Sequence, residues 1–171
     1  MGASSLVSRL AEAQIGSTYN QYACSALLRK RLADYLERQA EAPLLLVGEA
    51  AGYRGARVSG VPFTSERQLT GTGPAEASAT IVHRVLAELG LESQVLLWNV
   101  VPTHPGSPHS NRRPTKAEVA ASRPFLADLV GSRKVVAVGR LAQGELGGPY
   151  VRHPSHGGAA EFRAGLRRLL F

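Results

Sequence analysis

Leu44-Leu45-Leu46-Val47-Gly48-Glu49-Ala50-Ala51-Gly52 couples an uninterrupted apolar run to a turn bounded by glycines. An apolar run without alternation is what a strand shows when both faces of its sheet are covered, and a glycine turn behind it lets the backbone approach a ligand. Two further runs share this character, Val95-Leu96-Leu97-Trp98 and Lys134-Val135-Val136-Ala137-Val138, and Tyr150-Val151-Arg152 reads as a short fourth strand. Between them, apolar residues recur at helical spacing: Leu27, Leu28, Leu32, Tyr35 and Leu36, then Ile81, Val82, Val85, Leu86 and Leu89, then Val119, Phe125, Leu126 and Leu129. Thr115 with Glu118 three residues on has capping-box spacing for the third helix, and Gly90 and Gly131 stand where helices stop.

Strands alternating with helices predict an α/β fold, a three-layer α/β/α sandwich around a central, mainly parallel four-stranded sheet. Ligands of such sheets sit outside the carboxyl ends of the strands. Four segments then converge on one rim: Gly48–Gly52, Asn99-Val100-Val101-Pro102, Gly139-Arg140 and His153-Pro154-Ser155-His156-Gly157-Gly158. Tyr53–Gly73 and Pro102–Pro114, rich in Gly, Pro, Ser, Thr and Arg, read as long functional loops. With no repeat or change of composition, residues 1–171 are expected to form a single domain.

The chain has 171 residues, 44% of them hydrophobic, and no apolar run of bilayer length, so no membrane association is expected. Nor does the start, Met1-Gly2-Ala3-Ser4-Ser5-Leu6, read as a secretory leader. One cysteine, Cys24, excludes an internal disulfide, points to a reducing, cytoplasmic setting and falls short of a thiolate metal site. The histidines at 83, 104, 109, 153 and 156 form no helical metal pair, so neither metal nor cofactor is expected. A formal charge of +7 attracts polyanions such as DNA or RNA, although Arg163, Arg167 and Arg168 also read as a solvated helix face.

In order along the chain, Gly48-Glu49-Ala50-Ala51-Gly52, Val61-Pro62-Phe63, Asn99-Val100-Val101 and His153-Pro154-Ser155 resemble the motifs of the uracil-DNA glycosylase superfamily. Asn111-Arg112-Arg113-Pro114-Thr115 adds to the likeness. The resemblance spans residues 44–158. It implies a monofunctional, cofactor-free DNA glycosylase, acting as a monomer on DNA containing a damaged base and leaving an abasic site. Uracil is the base the resemblance suggests, with thymine mismatches, hypoxanthine or xanthine as other candidates.

Hydrolysis of the bond to the sugar leaves an oxocarbenium-like sugar and a base anion, and the base must first be drawn out of the duplex. The resemblance makes Gly48, Ala50, Gly52, Phe63 and Asn99 the base-binding residues. Phe63 would stack on the extruded base, an interaction worth about 1–3 kcal/mol, against the plainer reading of a core phenylalanine. Asn99 would read the O4 and N3–H edge with one amide, and a base whose edge leaves that amide unpaired is strongly rejected. His153 would donate a hydrogen bond to O2 as charge develops. Glu49 either orients water or braces the loop. Ser155, His156 and Gly157 would meet the DNA, although His156 stands where many relatives carry a larger apolar wedge and reads equally as part of a surface turn. Arg57, Arg112 and Arg113, with Arg54, would bind phosphates or be only solvated.

The first loop departs from the uracil branch, whose aspartate at the position of Ala50 holds the attacking water and whose tyrosine at Gly52 excludes thymine. Branches with Gly-Glu-Ala-Pro-Gly also lack both, and here Ala51 replaces the proline. The lone cysteine rules out the four-cysteine cluster of the thermostable-type branch. The alternative reading is a catalytically weak or inactive nucleic-acid-binding homologue. A phosphate cradle in the glycine loop ranks last, because it lacks the Lys-Ser/Thr ending of a P-loop.

Overall fold

A computed structural model describes residues 2–171, so Met1 lies outside the described residues. Its central sheet consists of β1 (Leu44–Ala50), β2 (Val95–Val101), β5 (Lys134–Val138) and β6 (Tyr150–Val151), all parallel, in the order β2-β1-β5-β6. Helices flank it, as the alternating pattern predicts. They are α1 (Ala3–Glu12), α2 (Ala26–Arg38), α5 (Ala77–Glu88), α6 (Lys116–Val130), α7 (Arg140–Leu146) and α8 (Ala159–Leu170). Leu45, Leu46, Val47, Leu96, Leu97 and Trp98 are all but fully buried, which is why these runs carry no polar alternation.

Two strands run further than their apolar cores. Gly48, Glu49 and Ala50 belong to β1, and Asn99 belongs to β2, where it pairs in register with Gly48. The connection leaving β1 leads to β2 on one side, whereas that leaving β5 leads to β6 on the other. The strand order therefore reverses between β1 and β5, and a crevice opens there at the carboxyl edge.

The predicted loops carry more structure than their composition suggested. Residues 53–73 contain α3 (Ala56–Ser59) and α4 (Glu66–Thr70), the latter opened by a Ser65–Gln68 capping box and closed by Gly71 in the left-handed region. Residues 102–114 contain a two-residue hairpin of β3 (Gly106–Ser107) and β4 (Ser110–Asn111). Leu27, expected on the buried stripe of its helix, is 57% exposed; Leu28, Leu32, Tyr35 and Leu36 form the stripe, and Leu27 is turned off it. Thr115 does cap α6, accepting from Glu118 N while the Glu118 carboxylate accepts from Thr115 N. Among the described residues no helix is long and apolar enough to cross a membrane.

Candidate active site

At the carboxyl edge of the sheet lies an open cleft of about 740 Å³, bordered by Glu49–Arg54, Ala75–Ser78, Asn111–Arg113 and His153–Gly157. A narrow slot of about 50 Å³ leads off it, lined by Glu49, Ala50, Gly52, Ala56, Phe63, Glu76, Asn99 and His153. The structure thus brings Glu49, Ala50, Gly52, Phe63, Asn99 and His153, from four separate segments, to one place.

Phe63 enters the slot on a strained turn. Its φ of 52° lies in the left-handed region, which costs an aromatic residue on the order of 1–3 kcal/mol unless its surroundings impose it. They do so through several bonds. The Ser59 hydroxyl donates to Thr64 O at 2.6 Å and accepts from Val61 N at 3.0 Å. The Tyr22 hydroxyl donates to Gly60 O at 2.9 Å, and Thr64 Oγ1 meets His83 Nε2 at 3.0 Å.

Gly48 makes room for the ring. A Cβ there would collide with Phe63 Cζ and stand 2.7 Å from Cε2 and 3.0 Å from Asn99 Oδ1. Gly48→Ala is therefore expected to drive Phe63 from the slot and to destabilise the fold by about 1–3 kcal/mol, the cost of overpacking. Thermal melts and base-excision rates measured on one preparation check both effects.

Asn99 is 4% exposed, yet among the described residues its amide has no protein hydrogen-bond partner. A donor and an acceptor held in a slot without partners are costly to desolvate, and a ligand edge carrying the complementary pair relieves that cost. Its neighbour in the slot, His153, is fixed in one tautomer. Ser155 N donates to His153 Nδ1 at 3.1 Å, with Ser155 Oγ 2.7 Å from the same atom, so the ring proton resides on Nε2. Desolvation first, and then the charge of His156, lower the pKa of His153 and favour the neutral ring. Phe63 and His153 ring centroids are 6.4 Å apart.

The loop behind His153 is tight. His156 has φ 51° and Gly157 φ 78°, and a Cβ on Gly158 would collide with the His153 carbonyl. Arg152 steadies the loop from below, bonding His156 O at 3.2 Å and Glu161 Oε1 at 2.9 Å. His156 is left exposed at the tip, beside the cleft.

The arginines divide. Arg113 is exposed on the cleft wall, and Arg54 stacks 5.2 Å over the Tyr53 ring. Arg112, expected to meet DNA, borders the cleft with its guanidinium engaged by a buried carboxylate. It bonds Glu118 Oε1 at 2.6 Å, Glu118 Oε2 at 2.8 Å and Ser17 Oγ at 3.0 Å. The reason is the 1%-exposed Glu118 carboxylate, which needs a counter-charge; Arg112 first, with the Thr115 and Ser17 bonds, holds its pKa down at about 2. Arg57 is not among the residues bordering the cleft and lies 5.0 Å over the Tyr19 ring. Arg112 is thus held to Glu118 at the cleft border, and Arg57 lies outside that border.

Two residues that sequence reasoning passed over matter here. Glu76 lines both cleft and slot, half-buried, its carboxyl pKa raised by desolvation against the opposing pull of Ser78 and His104. His104 is fully buried with Nδ1 2.7 Å from Ala51 O and Nε2 2.7 Å from Ser107 O. His104 thus ties the first loop to the hairpin, and Asn111 repeats the tie by accepting from Tyr53 N at 2.9 Å. Glu49 stands at the exposed rim, its pKa raised by partial desolvation and opposed by Arg113. Among the described residues no three His, Cys, Asp or Glu side chains gather as a metal ligand set.

Fold and site together define an α/β domain with a deep polar slot at the switch point of a parallel sheet, set in a wider cleft. The family model described as the uracil DNA glycosylase superfamily matches residues 36–166, and the chain belongs to that superfamily, with the general function of a DNA glycosylase. Among solved structures it is similar to the crystal structure of wild-type SMUG2 from Pedobacter heparinus. The TM-score is 0.67 at 11% identity, covering 99% of this chain and 98% of that one, a likeness of fold. No curated protein matches the chain.

Proposed function

We propose that this protein is a monofunctional DNA glycosylase that hydrolyses the N-glycosidic bond of uracil and related deaminated bases, leaving an abasic site for base excision repair. The observation that carries the reading is the unpartnered Asn99 amide in a slot it shares with the aromatic ring of Phe63 and with His153, whose proton lies on Nε2. DNA is held along the cleft by Arg113 and the Ser155–Gly157 loop, and the base leaves the stack for the slot. There Phe63 covers one face, Asn99 tests the edge, and the neutral His153 donates to O2 as the bond to the sugar breaks. No lysine borders cleft or slot among the described residues, so an imine with the sugar has no source and strand cleavage is not part of the reaction. The protein is proposed to act as a monomer in the cytoplasm, where an exposed free thiol such as Cys24 stays reduced.

The test is incubation with single- and double-stranded oligonucleotides carrying uracil, thymine mismatches, hypoxanthine or xanthine, followed by alkali. Breaks at the lesion only after alkali are expected, with uracil among the substrates. Tight binding without a break on any substrate would instead favour a non-catalytic DNA-binding homologue, the reading that Ala50 motivates.

A further inference from the structure

The first loop offers no carboxylate to the slot from positions 50 to 52, where the side chains are Ala50, Ala51 and the bare Gly52. The space over Gly52 is nevertheless filled. A Cβ there would collide with Glu76 Oε2, and a Cβ on Gly55 would stand 2.7 Å from the same oxygen. Two glycines therefore make room for one carboxylate that arrives from the start of α5. Glu76 Oε1 accepts a bond from Ser78 Oγ at 3.3 Å, whereas Oε2 has no protein partner among the described residues.

Its position along the slot is informative. Ala56, Phe63 and Asn99 line only the slot, whereas Glu49, Ala50, Gly52, Glu76 and His153 line both slot and cleft and so form the mouth. A base seated deep against Phe63 and Asn99 places its bond to the sugar at that mouth. Of the two carboxylates there, Glu49 faces solvent and Arg113, and Glu76 is the more secluded.

We propose that Glu76 positions the hydrolytic water at the mouth of the slot, supplying from a separate segment a carboxylate that positions 50 to 52 do not carry. This rests on the glycosylase reading and assigns one of its steps. The water oxygen bonds to C1′ as the bond from C1′ to the base nitrogen breaks and its electron pair leaves with the base. The proton released by the water passes to the Glu76 carboxylate and on to solvent, and the base anion takes a proton from solvent. The ionised carboxylate also faces the positive charge that develops on the sugar. The charged and titratable groups around it are His104 behind the first loop, Glu49 and His153 at the mouth, and Arg112 and Arg113 on the cleft wall.

The experiment is single-turnover excision from a uracil duplex by wild type, Glu76→Gln and Glu76→Asp over a range of pH, with affinity for a duplex containing a stable abasic-site analogue measured in parallel. Glu76→Gln is expected to lower the rate by about 10²-fold or more with affinity unchanged, Glu76→Asp to restore part of it, and the wild-type rate to rise with pH through a limb that Glu76→Gln lacks. Gly52→Ala, which displaces the carboxylate without neutralising it, serves as a second variant and is expected to slow excision too. A Glu76→Gln rate within about threefold of wild type, or lost affinity at an unchanged rate, overturns the assignment. Failure of wild type to excise any lesion overturns the glycosylase reading itself, and is seen before any substitution is made.

Discussion

Replacing His153 by alanine lowers the single-turnover excision rate by about 10²–10³-fold, the cost of removing one donor aimed at developing negative charge. DNA affinity, measured by titration of an abasic-analogue duplex, stays close to that of wild type. The substitution removes the Nε2–H together with the ring's bonds to Ser155, while the cleft keeps Arg113 and the rest of its border. A positively charged imidazole is not required. Burial and His156 lower the pKa of His153, so the neutral donor is dominant at neutral pH and persists as the pH falls somewhat below the usual histidine range. Protonation of Nδ1 at still lower pH sets it against Ser155 N–H and removes the bond that orients the ring. An excision rate that increased as His153 became protonated, or one insensitive to His153→Ala, would contradict this role.

Arg112→Ala is expected to destabilise the fold by about 3 kcal/mol, because it strands the buried Glu118 carboxylate. The estimate sits at the low end for a broken buried pair, since the Arg112 side chain is 36% exposed and water screens part of the attraction. A melting-temperature drop of roughly 6–12 °C follows for a chain of this size. The pH dependence has a definite sign. Glu118 titrates at about 2 in the fold and near the ordinary glutamate value when unfolded, so its contribution is complete above that ordinary value. It is lost progressively as the pH falls toward 2. Chemical denaturation at a series of acidic pH values should show this loss in the wild type and not in Glu118→Gln. The same Arg112→Ala variant should leave the salt dependence of DNA binding nearly unchanged, whereas a phosphate-binding arginine would reduce its slope by about one.

The fold was legible because each strand of the sheet interior is an unbroken apolar run, and the three expected helices are periodic. α1 and α7 were not read from the sequence, and neither were the pieces inside residues 53–73 and 102–114, where elements of two to five residues are set by local bonds such as the Ser65–Gln68 box rather than by periodicity. At the site, the expectation for Asn99, Phe63 and His153 came from their resemblance to the superfamily's motifs, and the structure brings the three to one slot. Glu76 was not expected, because its place is defined by the absence of side chains at Gly52 and Gly55, a relation through space that linear order does not display. The ion pair of Arg112 was hidden for a related reason: an arginine beside a cleft looks the same in sequence whether it faces a phosphate or a buried carboxylate. The one sequence signal pointing the other way was the capping box, which placed Glu118 near the residues preceding Thr115.

The two borders of the main sheet bear on how the protein survives at high concentration. β2 is one border, and its outward Leu97 N–H is taken by the Tyr35 hydroxyl at 2.7 Å. The other border, β6, is only two residues long. Open strand edges recruit strands from other molecules and seed aggregates. One border is partly occupied by a side chain and the other is only two residues long, so neither offers a second molecule a full open ladder.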